Sequence, residues 1–519
     1  IGFILLGAIM VWYMYTNQEP IQQTENTTEK VVDSSNKAAK DNVTTVEKVS
    51  TKSTVQNDSI KNIELQSKYG AFAYGLQNAK NGNSVLENDV LKLTIDNKGG
   101  QIIEALVKNF KTYDSLPLYL IKNQNASFNI NFGTTDNRIL NTKDLLFEPS
   151  LSKNGENDVL SMKLKVSETQ FLEYRYEMKP NDYMIGFAVR SQGLATVINS
   201  SHTINLDWRL DAFRNEKSLS TENMYSELKF FTDEDDYLSA AGDDNEVVDE
   251  VKWVAFKQHF FASILTTDTP LNTASLTSKN LVKDDAVDTL FTKGYELKAP
   301  LALNNGELNY NMNWYYGPAD YKTLKSYKGM ELAEVVDLGW GIFGFINKTI
   351  FIPVFDLLSG WLTNYGLIII LMTIVVRILM SPLVYKSYVS SAKMKVIRPE
   401  LTAINEKYPG KPNAMKRQQE TMAVQRKAGV SMMSGCIPAL LQMPIFFALF
   451  RFFPSNLELR QKGFLWADDL SSYDQIFQLP FSIPFYGNHV SLFPILASVA
   501  IFFYMKMNQS QQANMQAPP

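Results

Sequence analysis

The stretch Leu367 to Pro382, LIIILMTIVVRILMSP, sets one permanent cation, Arg377, inside a run otherwise suited to hydrocarbon. With its flank from Trp361 the run reaches the roughly 20 apolar residues that a membrane-crossing helix needs. Elsewhere, 31 Phe, 24 Tyr and 19 Met in 519 residues supply ample apolar material, yet the mean hydropathy is slightly negative, −0.15, so the apolar residues are bunched. By length the chain holds roughly three domain-sized pieces. A net charge of −4 is too mild to name a partner and gives no reason to expect DNA.

Outward from Arg377, two more stretches read as spans, Ser431 to Phe450 and Val490 to Met505. The last is short, about 24 Å at 1.5 Å per residue. Gly339 to Leu358 is apolar but interrupted by Asn347, Lys348 and Pro353, which suits a helix lying in the interface, so 331–360 is read as an interfacial region. Ile1 to Tyr15 is uncharged and ends in WYMY, which reads as a membrane anchor over 1–16 cut at its start, with a signal peptide as the competing reading. Residues 17–84 are rich in Asn, Gln, Thr, Ser, Lys and Glu and read as a flexible polar tether.

Residues 85–330 carry a different signal. Leu91, Leu93 and Ile95 alternate with polar neighbours, and alternation returns in FLEYRYEM (Phe171 to Met178) and INLDWRL (Ile204 to Leu210). Turn clusters such as Asn97-Lys98-Gly99-Gly100 and Lys179-Pro180-Asn181-Asp182 separate the runs. Short alternating runs with such punctuation predict an antiparallel sandwich. The fold class is therefore a polytopic α-helical membrane bundle plus an all-β extracytoplasmic sandwich. The only cysteine, Cys436, lies in the second span, so no disulfide framework staples the sandwich.

Charge sets the orientation. Between the first two spans, residues 383–430 carry ten cations (Lys386, Lys393, Lys395, Arg398, Lys407, Lys411, Lys416, Arg417, Arg426 and Lys427) against Glu400, Glu406 and Glu420. That excess marks a cytoplasmic loop and puts the sandwich on the other side. Helix-permissive runs at Ser390 to Tyr408 and Ala414 to Ala428, parted by Pro409-Gly410-Lys411-Pro412, predict a helical hairpin. Its cations are either a topology determinant and solvated face, or a docking surface for lipid headgroups or ribosomal RNA.

Arg377 lies roughly 8 Å from the Pro382 end of its helix. Thr373, Arg377 and Ser381 share one face, as do Ser431, Gly435, Pro438 and Gln442 on the next span, and two such stripes would line a wet cavity. A charge at the bilayer centre costs about 2.5–3.5 kcal/mol on insertion scales, and no Asp or Glu lies in any of the three spans to offset it. The alternative is an arginine that snorkels to the inner headgroups.

LMTIVVRILMSPL (Leu371 to Leu383), SAKMKVIRPEL (Ser391 to Leu401), GCIPALLQMPIFFALF (Gly435 to Phe450) and LELRQKGFLWADDLS (Leu457 to Ser471) closely resemble the YidC membrane-protein insertases with a large periplasmic domain. The resemblance implies a bacterial inner-membrane, multi-pass protein with a periplasmic β-supersandwich and an insertase core over 361–519. It implies a membrane groove centred on Arg377 and lined by Thr373 and Gln442, with Met443 and Phe446 facing a passing client helix. Lys416 and Arg417 of the hairpin are the candidate partner-binding cations. Implied partners are nascent membrane-protein clients, the Sec translocon, the ribosome and membrane lipids, with no cofactor, metal or enzymatic step. Three core helices are read here where the family has five, so the resemblance implies two more beyond Pro519.

Two rival classes are kept. His202 and His259 raise acid/base catalysis by the sandwich, though neither belongs to a catalytic motif. A channel or transporter is the other, for which intramembrane carboxylates would be expected.

Overall fold

The computed structural model describes residues 54–238, 242–285, 287–429, 437–483 and 487–512. Residues Asp58–Pro519 form one compact unit, and Ile1–Asn57 a separate one of which only 54–57 are described. The anchor read over 1–16, and the residues Ser431, Gly435 and Cys436, lie outside the described residues.

Alternation in the sequence becomes two facing antiparallel sheets. The nine-stranded sheet is centred on Val251–Gln258, Phe261–Leu271, Asn309–Pro318 and Met184–Gln192, and the six-stranded one on Ile204–Phe213 and Phe291–Leu301. In Phe171–Met178 the residues Leu172, Tyr174, Tyr176 and Met178 are buried, and in Ile204–Phe213 so are Leu206, Trp208 and Leu210, so period two puts one face of each strand into a shared core. Trp208 of one sheet stacks on Phe256 of the other at 3.7 Å between centroids and meets Trp314 edge-on at 4.9 Å. Such pairs contribute about 0.5–1.5 kcal/mol each beyond the area they bury. A four-stranded meander, Asn83–Glu87 to Pro117–Ile121, completes the domain. Its Asn97-Lys98-Gly99-Gly100 turn needs glycine at Gly100, where φ is +60° and a Cβ would meet the rings of Tyr174 and Phe147.

Part of the stretch read as a tether is regular structure. Helices run over Thr54–Tyr69 and Ala73–Asn78, and Phe72 between them is fully buried, 5.3 Å from Phe132 of the sandwich. One aromatic anchor docks a segment whose average composition is polar, which is why composition alone misses it.

The first membrane helix is longer than its span. It runs Tyr365–Val396, with the Asn364 side chain accepting from the Leu367 amide at its start, and it continues through Pro382. Proline removes one hydrogen bond of the ladder, and a long helix with a packed face survives that loss. At roughly 48 Å it exceeds a 30 Å hydrocarbon core and joins directly to the helical hairpin of 383–430. That hairpin is Arg398–Lys407 and Ala414–Lys427, closed by Tyr408 donating to Glu420 at 2.7 Å. The second core helix is described over Ile437–Phe452. The third, Leu492–Gln512, starts two residues later than read, because Val490 and Ser491 belong to the strand Gly487–Ser491.

By length and apolar composition two described stretches are able to cross a bilayer, Ile342–Ser359 and Tyr365–Pro382, and Gln442–Phe452 and Leu492–Lys506 are shorter apolar helices. The segment read as interfacial thus meets the length criterion. Its middle is a π turn at Asn347–Phe351, and Asn347 there is fully buried. The Asn347 amide donates to the carbonyls of Leu338 (2.7 Å) and Ala448 (2.9 Å), tying this helix to the second core helix. Asn347→Leu should therefore destabilise the protein by about 1–3 kcal/mol, the cost of leaving buried carbonyls short of a donor. Thermal unfolding in nanodiscs would read this, and an unchanged midpoint would mean the tie contributes nothing.

Candidate functional site: the arginine helix and its neighbours

Ile368 and Met372 of the arginine helix are buried against Phe351 and Phe355 of the preceding segment and against Ala448 and Phe452 of the second core helix, with Val376 at the edge of the cluster. These residues recur at i, i+4, so they form one stripe. Thr373 and Arg377 each follow a stripe residue, and their side chains leave the helix about 100° around from it. Both are exposed. The Thr373 hydroxyl bonds back to the Ile369 carbonyl at 2.9 Å, whereas Arg377 forms no ion pair among the described residues.

The second core helix repeats this division. Ile445, Ala448, Leu449 and Phe452 face the packed cluster, while Gln442, Met443 and Phe446 are exposed, the last two at 49% and 59%. No hydrogen bond joins Thr373, Arg377 and Gln442 among the described residues; they lie on flanks beside a common packed seam. In the hairpin Lys416 is exposed and Arg417 half-exposed, neither in an ion pair among the described residues.

A second polar constellation joins the sandwich to the membrane half, and sequence reading missed it. Arg460, in the loop after the second core helix, is buried and donates to Glu216 of the sandwich at 2.7 Å and to the Lys111 carbonyl at 2.6 Å. Its guanidinium stands 5.1 Å from the Phe261 ring. Behind Glu216, Glu222 accepts from the backbone amides of Asn215 and Glu216 at 2.8–3.0 Å. Burial, reinforced by Glu216, pushes the Glu222 carboxyl up to about 8 against those amides. Burial also raises Glu216, although Arg460 pulls the other way. His259 is fixed in the same joint: its Nε2 donates to the Pro454 carbonyl at 2.9 Å, and burial followed by the charge of Lys257 lowers it to about 3. A neutral imidazole bonded to a backbone carbonyl is a structural group, and His202 is exposed on a turn.

Residues 84–353 match the family described as YidC periplasmic domain, and residues 357–518 the family described as 60Kd inner membrane protein. A Parabacteroides distasonis protein described as membrane protein insertase YidC is 38% identical over 98% of this chain and 82% of its own length. The chain belongs to the YidC family of membrane protein insertases. A Phocaeicola vulgatus YidC insertase is 36% identical over 99% of this chain and 82% of its own length. The sandwich is thus a YidC periplasmic domain, and the arginine helix, the helical hairpin and the second core helix fall in the region that matches the 60Kd inner membrane protein family.

Proposed function

We propose that the chain inserts and helps fold inner-membrane proteins, alone or with the Sec translocon, through a hydrophilic groove flanked by the arginine helix and the second core helix. The observation that carries this reading is Arg377, an exposed cation on a membrane helix with no Asp or Glu in its own span or in the other two core spans to pair it. A cation in that place attracts a polar, acidic client segment and lowers the cost of bringing it into low dielectric. Thr373 and Gln442 add hydrogen-bonding groups on the polar flanks, and Met443 and Phe446 offer a deformable apolar surface for the client helix as it leaves for lipid. No bond is broken in this scheme. The protein is multi-pass, with the sandwich in the periplasm and the 383–430 hairpin in the cytoplasm, and Ile342–Ser359 lies in the interface. That last assignment is supported by Lys348, which pairs with Glu334 at the end of the sandwich at 2.9 Å.

Insertion of a small client by the full-length protein reconstituted in lipid vesicles, with nothing else added, tests the reading. Client left outside the bilayer, together with an ion flux through the same vesicles, would favour a channel.

The hairpin docks ribosomal RNA or anionic headgroups through Lys416 and Arg417. Replacing both by Gln should weaken ribosome binding severalfold at low salt and flatten its salt dependence, since fewer screened contacts remain. Sedimentation at graded ionic strength measures this, and an unchanged salt curve returns these cations to a solvated face.

A further inference from the structure

The loop after the second core helix ends in a β-hairpin, Gln475–Ile483 paired antiparallel with Gly487–Ser491. Ile476 and Phe477 lie at a register shift near the start of the strand and are 47% and 61% exposed. Phe481 (61%) and Ile483 (39%) are exposed as well, so the large apolar side chains of this strand are left bare at both of its ends. No Asp, Glu, Lys or Arg occurs from Gln475 to Ser491. In water, an uncharged apolar hairpin with open edges invites aggregation.

Its base is fixed. Asp474, one residue before the hairpin, accepts from the amides of Leu492 and Phe493 at 2.9 Å and from the Trp466 indole at 2.8 Å, while Trp466 packs on Phe493. Tyr473 stacks on His489 at 4.0 Å and carries Lys217 of the sandwich 4.7 Å from its ring. The hairpin thus leaves from the first turn of Leu492–Gln512, a helix whose Ile495, Leu496, Val499, Phe502 and Phe503 are all about half exposed. Bare apolar side chains thus flank this fixed base on both sides, in the hairpin and in the helix, so a bilayer entered by the helix would meet the base of the hairpin at the same level.

We propose that this hairpin is a membrane-interface element: it lies on the extracytoplasmic face of the bilayer with Ile476, Phe477, Phe481 and Ile483 at the headgroup–acyl boundary. Its occupant is phospholipid. A two-stranded ribbon has unpaired backbone edges and cannot enter the hydrocarbon core, so it stays where water and headgroups satisfy them. Phe rings with interspersed Gln475 and Gln478 suit that boundary. The hairpin thereby sets the depth of the helix that follows and of the sandwich fastened to its base.

The inference rests on Leu492–Gln512 lying in the bilayer, not on Arg377 or on insertion activity. In the full-length protein carrying Cys436→Ser, an NBD fluorophore is placed on Phe477→Cys, on Phe481→Cys, or on Ile501→Cys within the helix. Each variant is reconstituted in vesicles of phosphatidylethanolamine and phosphatidylglycerol with nitroxide-labelled lipid, shallow or deep. The expected result is quenching at 477 and 481 by the shallow nitroxide more than the deep one, and the reverse at 501. Quenching at 501 with water-like, unquenched emission at 477 and 481 overturns the hairpin assignment. So does shielding at 477 and 481 that appears only when another protein is added. No quenching at 501 overturns both the hairpin assignment and the membrane reading of the helix. Since Phe477 and Phe481 are exposed, the labels remove no packing.

Discussion

Insertion of a client with an acidic translocated segment should fall tenfold or more in Arg377→Ala, while Arg377→Lys keeps much of the activity. A unit charge pair at about 4 Å is worth about 4 kcal/mol at an effective dielectric of 20, and even a third of that is about a tenfold effect. Arg377 is exposed and forms no ion pair among the described residues, so its field is available to an incoming group. Lysine preserves the cation but loses the planar fork, so an electrostatic role tolerates the exchange and a bidentate one does not. Clients without acidic residues gain less from the field and should depend on Arg377 less. Insertion into vesicles, scored by protease protection of the translocated segment, separates these cases. Normal insertion of the acidic client by the folded Ala variant would reduce Arg377 to an arginine that snorkels to the headgroups.

What the sequence disclosed follows the reach of its local patterns. The sandwich was legible because FLEYRYEM and INLDWRL alternate with period two, and those strands bury alternate residues. The hairpin helices were legible because Pro409-Gly410 cannot continue a helix. Pro382 misled for the complementary reason: one proline costs one hydrogen bond, and the helix passes through it to Val396. TVQNDSIKNIELQSKY carries too few apolar residues to announce the helix Thr54–Tyr69, and QIFQLPFSI is broken by Pro480 and pairs only with register shifts, so no regular alternation announces its strand. Of the site, the exposed flanks of Thr373, Arg377, Gln442, Met443 and Phe446 follow from helical spacing once the packed stripes are known. The ties of Asn347 to Ala448 and of Arg460 to Glu216 had no local signature, since their partners lie 101 and 244 residues away.

That second tie has a large and pH-dependent effect. Arg460→Ala should destabilise the union of sandwich and membrane half by about 3–5 kcal/mol, the usual cost of removing one partner of a buried ion pair. Both side chains are nearly inaccessible, 3% and 8%, so water cannot replace the guanidinium without opening the joint. Arg460→Met with Glu216→Leu should recover most of the loss, because exchanging a buried pair for apolar groups of similar volume is close to neutral. The sign with pH follows from the carboxyls. Glu222 is held up at about 8 by burial and by Glu216, above its unfolded value near 4.3, so the folded state binds the extra proton between those limits. Its contribution is fully present below the unfolded value and is lost as pH rises through about 8. Glu216, also raised by burial, acts with the same sign, and without Arg460 its ionisation becomes costlier still. The penalty of Arg460→Ala should therefore be larger at pH 8 than at pH 5, where a proton replaces the missing cation. Unfolding midpoints in nanodiscs at the two pH values, with protease cleavage of the loop around Arg460 as a local readout, measure this. A penalty equal at both values would show that Arg460 acts through packing on Phe261 rather than through charge.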